Sequence, residues 1–128
     1  MPEKQAVTTT NAPTAVGPYS QANVVGDFVF TAGQLGVDPQ TGQFVSDEVQ
    51  AQTRRALENL RAVLEAAGTD LAHVVKTTVF LSDMANFKAM NEVYATFFEP
   101  PYPARSAVAV KELPLGGLVE IEAVAVKP

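Results

Sequence analysis

Glu99–Pro128 reads EPPYPARSAVAVKELPLGGLVEIEAVAVKP, and the alternation in its second half decides the architecture. Three prolines stand within four positions near its start, Pro100, Pro101 and Pro103. Each fixes φ and removes an N–H, so no helix continues through them. Arg105 follows directly, then a run of small residues and valines, a Pro/Gly loop, and a second run carrying Glu120 and Glu122. Side chains alternate across a strand. Leu118, Glu120, Glu122, Val124 and Val126 therefore share one side, and Val119, Ile121, Ala123 and Ala125 the other. Both sides are largely apolar, the pattern of a strand packed on both faces. A carboxylate in such a strand is costly unless something pairs with it or uses it. Arg105, on a proline-set approach, and Glu120, on a mostly buried strand, are the pair to explain.

Upstream, residues 1–12 are polar and aperiodic, which fits a loose lead-in over 1–10 or a short edge strand. Asn11–Ser20 is punctuated by Pro13, Gly17 and Pro18 and reads as an ordered loop. Gln21–Val25 and Phe28–Ala32 are short apolar segments around Gly26-Asp27, a hairpin signal. The glycines of Gly33-Gln34-Leu35-Gly36 imply unusual φ or a close backbone approach. Val49, Thr53, Ala56, Leu57, Leu60, Val63, Leu64 and Ala67 form one helical stripe. Ser46 or Asp47 is placed to cap it, and Gly68 to end it. Arg54, Arg55, Glu58, Arg61 and Glu65 make its solvated face. Val74–Leu81 is rich in β-branched residues and reads as a central strand. Asp83 opens a second helix with the stripe Phe87, Met90, Asn91, Tyr94, Phe97 and Phe98, stopped by Pro100. Two strands, 105–111 and 118–126, complete the chain.

The order strand, strand, helix, strand, helix, strand, strand predicts an α+β domain spanning 1–128: a mixed sheet with two helices on one face. Since the late strands are apolar on both parities, the uncovered face is expected to bury against another copy.

At 128 residues, with 47% hydrophobic and 18% charged, the chain suits one globular domain. A net charge of −5 opposes broad attraction to nucleic acid or anionic membrane. With no cysteine there is no disulfide, thiolate or cysteine-ligated metal, which fits the cytosol. The N-terminal stretch lacks an apolar core and no 18-residue apolar run occurs, so neither secretion nor membrane spanning is expected.

Arg105 offers a planar fork suited to a carboxylate or phosphate, or to an ion pair with Glu99, Glu120 or Glu122. Glu120 can act as a base, position a water, or form half of that pair; Glu122 shares its parity. Tyr19 can close a pocket or simply pack in its loop, and Asn91 can face a ligand or bond to backbone. His73, the only histidine, reads as a surface residue and leaves no triad or zinc set. GQLG lacks the phosphate-loop pattern.

Taken in order, NAPTAVGPYSQA, TAGQLGVDPQTG, VVKTTVFLSD, NFKAMNEVY, YPARSAV and VEIEAVAV closely resemble the RidA (YjgF) family of reactive intermediate, or enamine/imine, deaminases. The resemblance runs from about Asn11 to Val126. It implies a chorismate-mutase-like α+β fold assembled as a homotrimer, with pockets between subunits. It implies hydrolysis of 2-iminobutanoate, 2-iminopropanoate and 2-aminoacrylate to 2-oxo acids and ammonia, without metal or cofactor. Carried onto this chain, Arg105 matches the arginine that grips the substrate carboxylate, and Glu120 the glutamate that orients water, with Glu122 secondary. Tyr19 matches the pocket tyrosine; Gly33 and Ala107 would contribute backbone, and Asn91 and Phe87 the pocket wall. Ala32 departs from the serine common before this glycine, so Thr31 or water must replace that hydroxyl, or the specificity differs. The same resemblance carries two other readings: a non-catalytic regulator or stress holdase that binds 2-oxo acids or unfolded chains, and an endoribonuclease. The acidic charge and single histidine oppose the latter.

Overall fold

Alternation in the last strand sets the layers, and the computed structural model, which describes residues 3–128, shows how. The elements run β1 (Gln5–Val7), β2 (Ala22–Val25), β3 (Phe28–Thr31), β4 (Gln34–Leu35), α1 (Val49–Ala66), β5 (Val74–Leu81), α2 (Phe87–Tyr94), β6 (Ala104–Ala109) and β7 (Val119–Val126). The strands form one mixed sheet in the order β1-β2-β3-β7-β5-β6, with β4 also on β7. β5 and β6 are parallel, their connection carrying α2, and the other pairings are antiparallel.

Residues paired directly across strands share a face. Val119, Ile121, Ala123 and Ala125 are buried on one face with Val29, Val79 and Leu81, beneath Leu57, Leu60 and Leu64 of α1 and Met90 and Tyr94 of α2. That is the α+β layering expected, with both helices on one side. The other parity of β7 is only half-buried. Beside it, Phe28 and Phe30 of β3 remain 47% and 45% exposed. Glu120 therefore lies on the open face of the sheet, less covered in one protomer than its apolar strand implied.

Several boundaries moved for local reasons. Residues 5–7 take the edge-strand option, paired with Ala22–Val24; residues 1–2 lie outside those described. α1 begins after Glu48, which makes no side-chain cap, so neither Ser46 nor Asp47 is the N-cap. Ser46 Oγ instead accepts the Glu48 N–H at 3.0 Å, closing a turn before the helix. At the other end Gly68 adopts φ 91°, and the Gly68 and Thr69 N–H groups bond back to Glu65 and Leu64, as a C′ glycine should. Asp83 Oδ1 accepts from Ala85 N at 2.9 Å and caps a 3₁₀ turn that leads into α2. α2 itself stops at Tyr94, short of Phe97, Phe98 and Pro100. β6 spans 104–109 rather than 105–111.

Candidate active site

Arg105 pairs in register with Thr77, whose side chain is buried on the helix face. Its guanidinium therefore turns toward α2. Arg105 Nη1 donates to Asn91 Oδ1, and the guanidinium carbon lies 5.4 Å from the Phe87 ring centre and 4.8 Å from that of Tyr94. Such stacking holds the planar cation without neutralising it. Tyr94 is fixed by a 2.7 Å hydrogen bond between its hydroxyl and Thr77 Oγ1. Burial pushes the Tyr94 phenol up, opposed by the Thr77 bond and the Arg105 charge, so it stays a neutral platform. Ala107, in register with Val79, sits half-buried on the same side.

Glu120 points the other way, because it pairs with Phe80 and with Leu35 on the open face. It lies on a cleft of about 520 Å³ that it shares with Tyr19, Ala32, Gly33 and Leu35. The glutamate rests directly on Gly33: a Cβ there would meet Glu120 Cδ at 2.7 Å, Cγ at 2.8 Å and Oε2 at 3.0 Å. Any larger residue at this position would displace the Glu120 side chain. Burial, and then the Glu122 charge two residues away, raise the Glu120 carboxyl above the ordinary value. Neither Arg105 nor Glu120 joins an ion pair among the described residues. The ion-pair reading thus fails within one chain, since the two groups project from opposite faces of one sheet.

Tyr19 is 52% exposed at the cleft mouth, where its hydroxyl accepts the Val16 N–H at 3.4 Å. Thr31 Oγ1 accepts the Ala123 N–H at 3.0 Å, closing the gap in the ladder where β3 gives way to β4. That bond uses one lone pair of the hydroxyl and does not engage its O–H. Glu122 pairs with Thr78 on the open face. His73 lies at the surface, its Nδ1 2.7 Å from Asp70 Oδ1, and that hydrogen bond lowers the Asp70 carboxyl. Among the described residues no three His, Cys, Asp or Glu side chains cluster as metal ligands, and no helix is long and apolar enough to cross a membrane.

The family model described as Endoribonuclease L-PSP matches residues 9–127. A mouse protein named 2-iminobutanoate/2-iminopropanoate deaminase is 48% identical over 124 residues, covering 97% of this chain and 92% of that one. The crystal structure of RidA from the Antarctic bacterium Psychrobacter is 47% identical with a TM-score of 0.92, over 95% of this chain and 98% of that one. The chain belongs to the RidA family. A further structure, E. coli TdcF with bound serine, is 43% identical at a TM-score of 0.92, covering 98% of this chain and all of that one.

This RidA-family chain uses polar residues that periodicity alone did not single out. Tyr94 and Thr77 shape the Arg105 half of the site, yet Tyr94 read simply as part of an apolar stripe. Gln21, 3% exposed, accepts the Thr9 N–H at 2.7 Å and donates to Thr9 O at 3.1 Å and Pro13 O at 2.7 Å, fixing the loop that walls the cleft. Asn59 Nδ2, on α1, donates to Leu35 O at 3.1 Å and Val37 O at 2.8 Å behind β4. An amide inside a helical apolar stripe was the available signal for Asn59. Gln21 offered none beyond its place between a proline loop and a strand.

Proposed function

We propose that this protein hydrolyses 2-iminobutanoate, 2-iminopropanoate and the enamine 2-aminoacrylate to 2-oxo acids and ammonia, in sites that neighbouring copies build together. The observation that carries this reading is the separation of Arg105 and Glu120. Each is poised in its own half-site, unpaired by charge, on opposite faces of one sheet. They can serve one small anion only if the open face of one copy meets the β6–α2 edge of the next. A homotrimer with three such clefts satisfies this and covers Phe28, Phe30 and Val124. The names of the relatives support the substrate class, and the lack of cysteine allows a cytosolic setting.

The chemistry follows from the residue types. Arg105, held by Asn91, Phe87 and Tyr94, binds the substrate carboxylate through two parallel N–H donors. The backbone N–H near Gly33 adds to the same anion, Ala107 contributes backbone next to the imine, and Tyr19 covers the pocket. The iminium carbon is already electrophilic, so fixing it beside a water held by Glu120 is mainly proximity and orientation. Glu120 takes a proton from that water as oxygen bonds to carbon, then returns it to nitrogen. Glu120 then takes the carbinol hydroxyl proton as the C–N bond breaks and passes it to the departing ammonia, leaving the 2-oxo acid; one water is consumed. A carboxylate with a raised pKa is the better proton acceptor here, and such a base contributes about 10²–10⁴ in rate.

Mixing Arg105→Ala with Glu120→Ala protomers, after reversible dissociation, tests the shared site. Each variant alone should be inactive in a coupled assay that follows semicarbazone loss from a dehydratase-generated enamine. Random 1:1 reassembly should restore about a quarter of the wild-type sites, since each needs one intact group from each neighbour. No recovery in properly assembled mixtures counts against the shared site. Equal activity of wild type and Arg105→Ala counts against the reaction itself. The serine bound in the TdcF structure favours one second reading, a binding protein for small amino or 2-oxo acids. Tight 2-oxobutanoate binding without ammonia release would support it.

A further inference from the structure

Two buried amides, Gln52 and Asn59, lie two turns apart on α1, and both are spent on backbone groups. Gln52 Nε2 donates to Ser46 O at 2.8 Å, and its Oε1 accepts the Leu118 N–H at 2.9 Å, two residues before Glu120. Asn59 Nδ2 donates to Leu35 O and Val37 O, on either side of Gly36. Leu35 stands directly opposite Glu120. The helix thus grips both members of the β4–β7 pair close to the glutamate. β4 is the weaker member, with two residues paired to β7 alone. So short a strand has few ladder bonds of its own. Its place beside Glu120 depends on the amide behind it.

Asn59 is itself held. Its Oδ1 accepts the Arg55 Nε–H at 3.0 Å, from one turn earlier on α1. Two carbonyls require the NH₂ group and the guanidinium requires the oxygen, so one orientation of the amide satisfies all three. Arg55 approaches Glu58 only at 3.7 Å, a surface pair of little weight. A residue on the outer side of α1 is therefore joined, through one fully buried amide, to the strand that faces Glu120.

Resting on the deaminase reading above, we infer that Asn59 is a positioning residue for Glu120 and that Arg55, from the helix surface, orients it. Neither touches the substrate. Asn59 fixes β4, and β4 keeps the glutamate where water meets the imine carbon. The titratable groups about Glu120 are Glu122 on its own strand, Tyr19 across the cleft and, on the shared-site reading, Arg105 of a neighbouring copy. Leu35 of β4 and Phe80 of β5, which pair with it, carry no charge. β4 acts on the carboxyl through burial, so loosening β4 should let its raised pKa fall.

Asn59→Ala strips two carbonyls of their donor, and Arg55→Met removes only the surface end of the link. We expect kcat to fall by about tenfold in the first and about threefold in the second, with KM within about twofold, because small displacements of a reacting group are costly. The Glu120 carboxyl carbon, followed by NMR and assigned by its loss in Glu120→Gln, should titrate at lower pH in both. Arg55→Lys keeps a donor and should restore both readouts, whereas Glu58→Gln should move neither. Should Asn59→Ala fail to fold, Arg55→Met decides alone. A wild-type kcat and Glu120 midpoint in the folded variants, whatever their Tm, overturns the inference and leaves the deaminase standing. So does a Glu58→Gln effect as large as that of Arg55→Met. Wild type that releases no ammonia from the imine overturns the deaminase reading, and the inference with it.

Discussion

Gly33→Ala adds one methyl group, and its position is set: 2.7 Å from Glu120 Cδ, 2.8 Å from Cγ and 3.0 Å from Oε2. Carbon–carbon contact becomes comfortable at about 3.5 Å. The carboxyl group must therefore retreat by roughly 0.8 Å. The backbone adds nothing to this, since Gly33 is not among the glycines with positive φ. Glu120 faces an open cleft and can turn outward, which keeps the folding penalty at the low end of overpacking, about 1 kcal/mol. In a chain of this size that lowers Tm by roughly 3–5 °C. Turnover is the more sensitive quantity, because a 1 Å displacement of a reacting group costs on the order of 100-fold. We expect kcat to fall by about 30- to 100-fold while KM changes by less than about threefold, the Arg105 half being untouched. The double variant with Glu120→Gln should be no slower than Glu120→Gln alone, because both act through one carboxylate. A Gly33→Ala enzyme within about twofold of wild type, or additive losses in the double variant, would refute the reasoning.

Glu120 must be deprotonated to accept a proton, so kcat/KM should rise with pH through its raised pKa. Glu122→Gln removes the second cause of that shift and should move the acid limb of the profile to lower pH; an unmoved or higher limb contradicts it. Thr77→Val breaks the 2.7 Å bond to Tyr94 and strands a buried hydroxyl, costing about 1–3 kcal/mol in denaturant melts. It should also raise KM severalfold by loosening the ring against Arg105, with kcat changing less, and an unchanged KM would show that the platform is dispensable. Gly36→Ala, one turn of sequence from Gly33, has no such escape. Its methyl would meet Gln52 Cα at 2.5 Å and Gln52 O at 2.6 Å, in the rigid backbone of α1, so calorimetry should show a loss of roughly 3 kcal/mol or more.

How far this was legible in the sequence differs between elements. The α1 stripe, the hairpin around Gly26-Asp27 and the parity of β7 are local patterns, and local patterns predict local structure. Glycines 33 and 36 were recognisable as close approaches, though not by what: one admits a catalytic candidate, the other a helix backbone. α2 ended early because Phe97 and Phe98 continue the apolar period without continuing the helix. The site was harder to read, since its two halves depend on register. Nothing in VVKTTVFL or PARSAV says that Thr77, rather than Thr78, stands beside Arg105. One step of slip would turn Arg105 to the open face that carries Glu120 and Glu122. The Tyr94–Thr77 bond depends on the same register and was invisible for the same reason.

On the proposed reading, that register makes assembly part of the chemistry. With Arg105 beside Thr77 and Glu120 beside Phe80, the two groups occupy opposite sides of a sheet, and no rotamer change brings them together. A one-residue slip of β6 or β7 would put them on one face, still with β5 between them, and slipping β7 would turn Val119, Ile121, Ala123 and Ala125 out of the core. A separated protomer should therefore keep its fold and both half-sites while losing the reaction. Specific activity ought to fall on dilution over the range where light scattering reports dissociation, and return when the copies are concentrated again. The far-ultraviolet dichroism should stay constant throughout. Full activity from protomers shown to be monomeric would mean that Glu120 and Arg105 never shared a substrate. The unpaired carboxylate on Gly33 would then need a different partner.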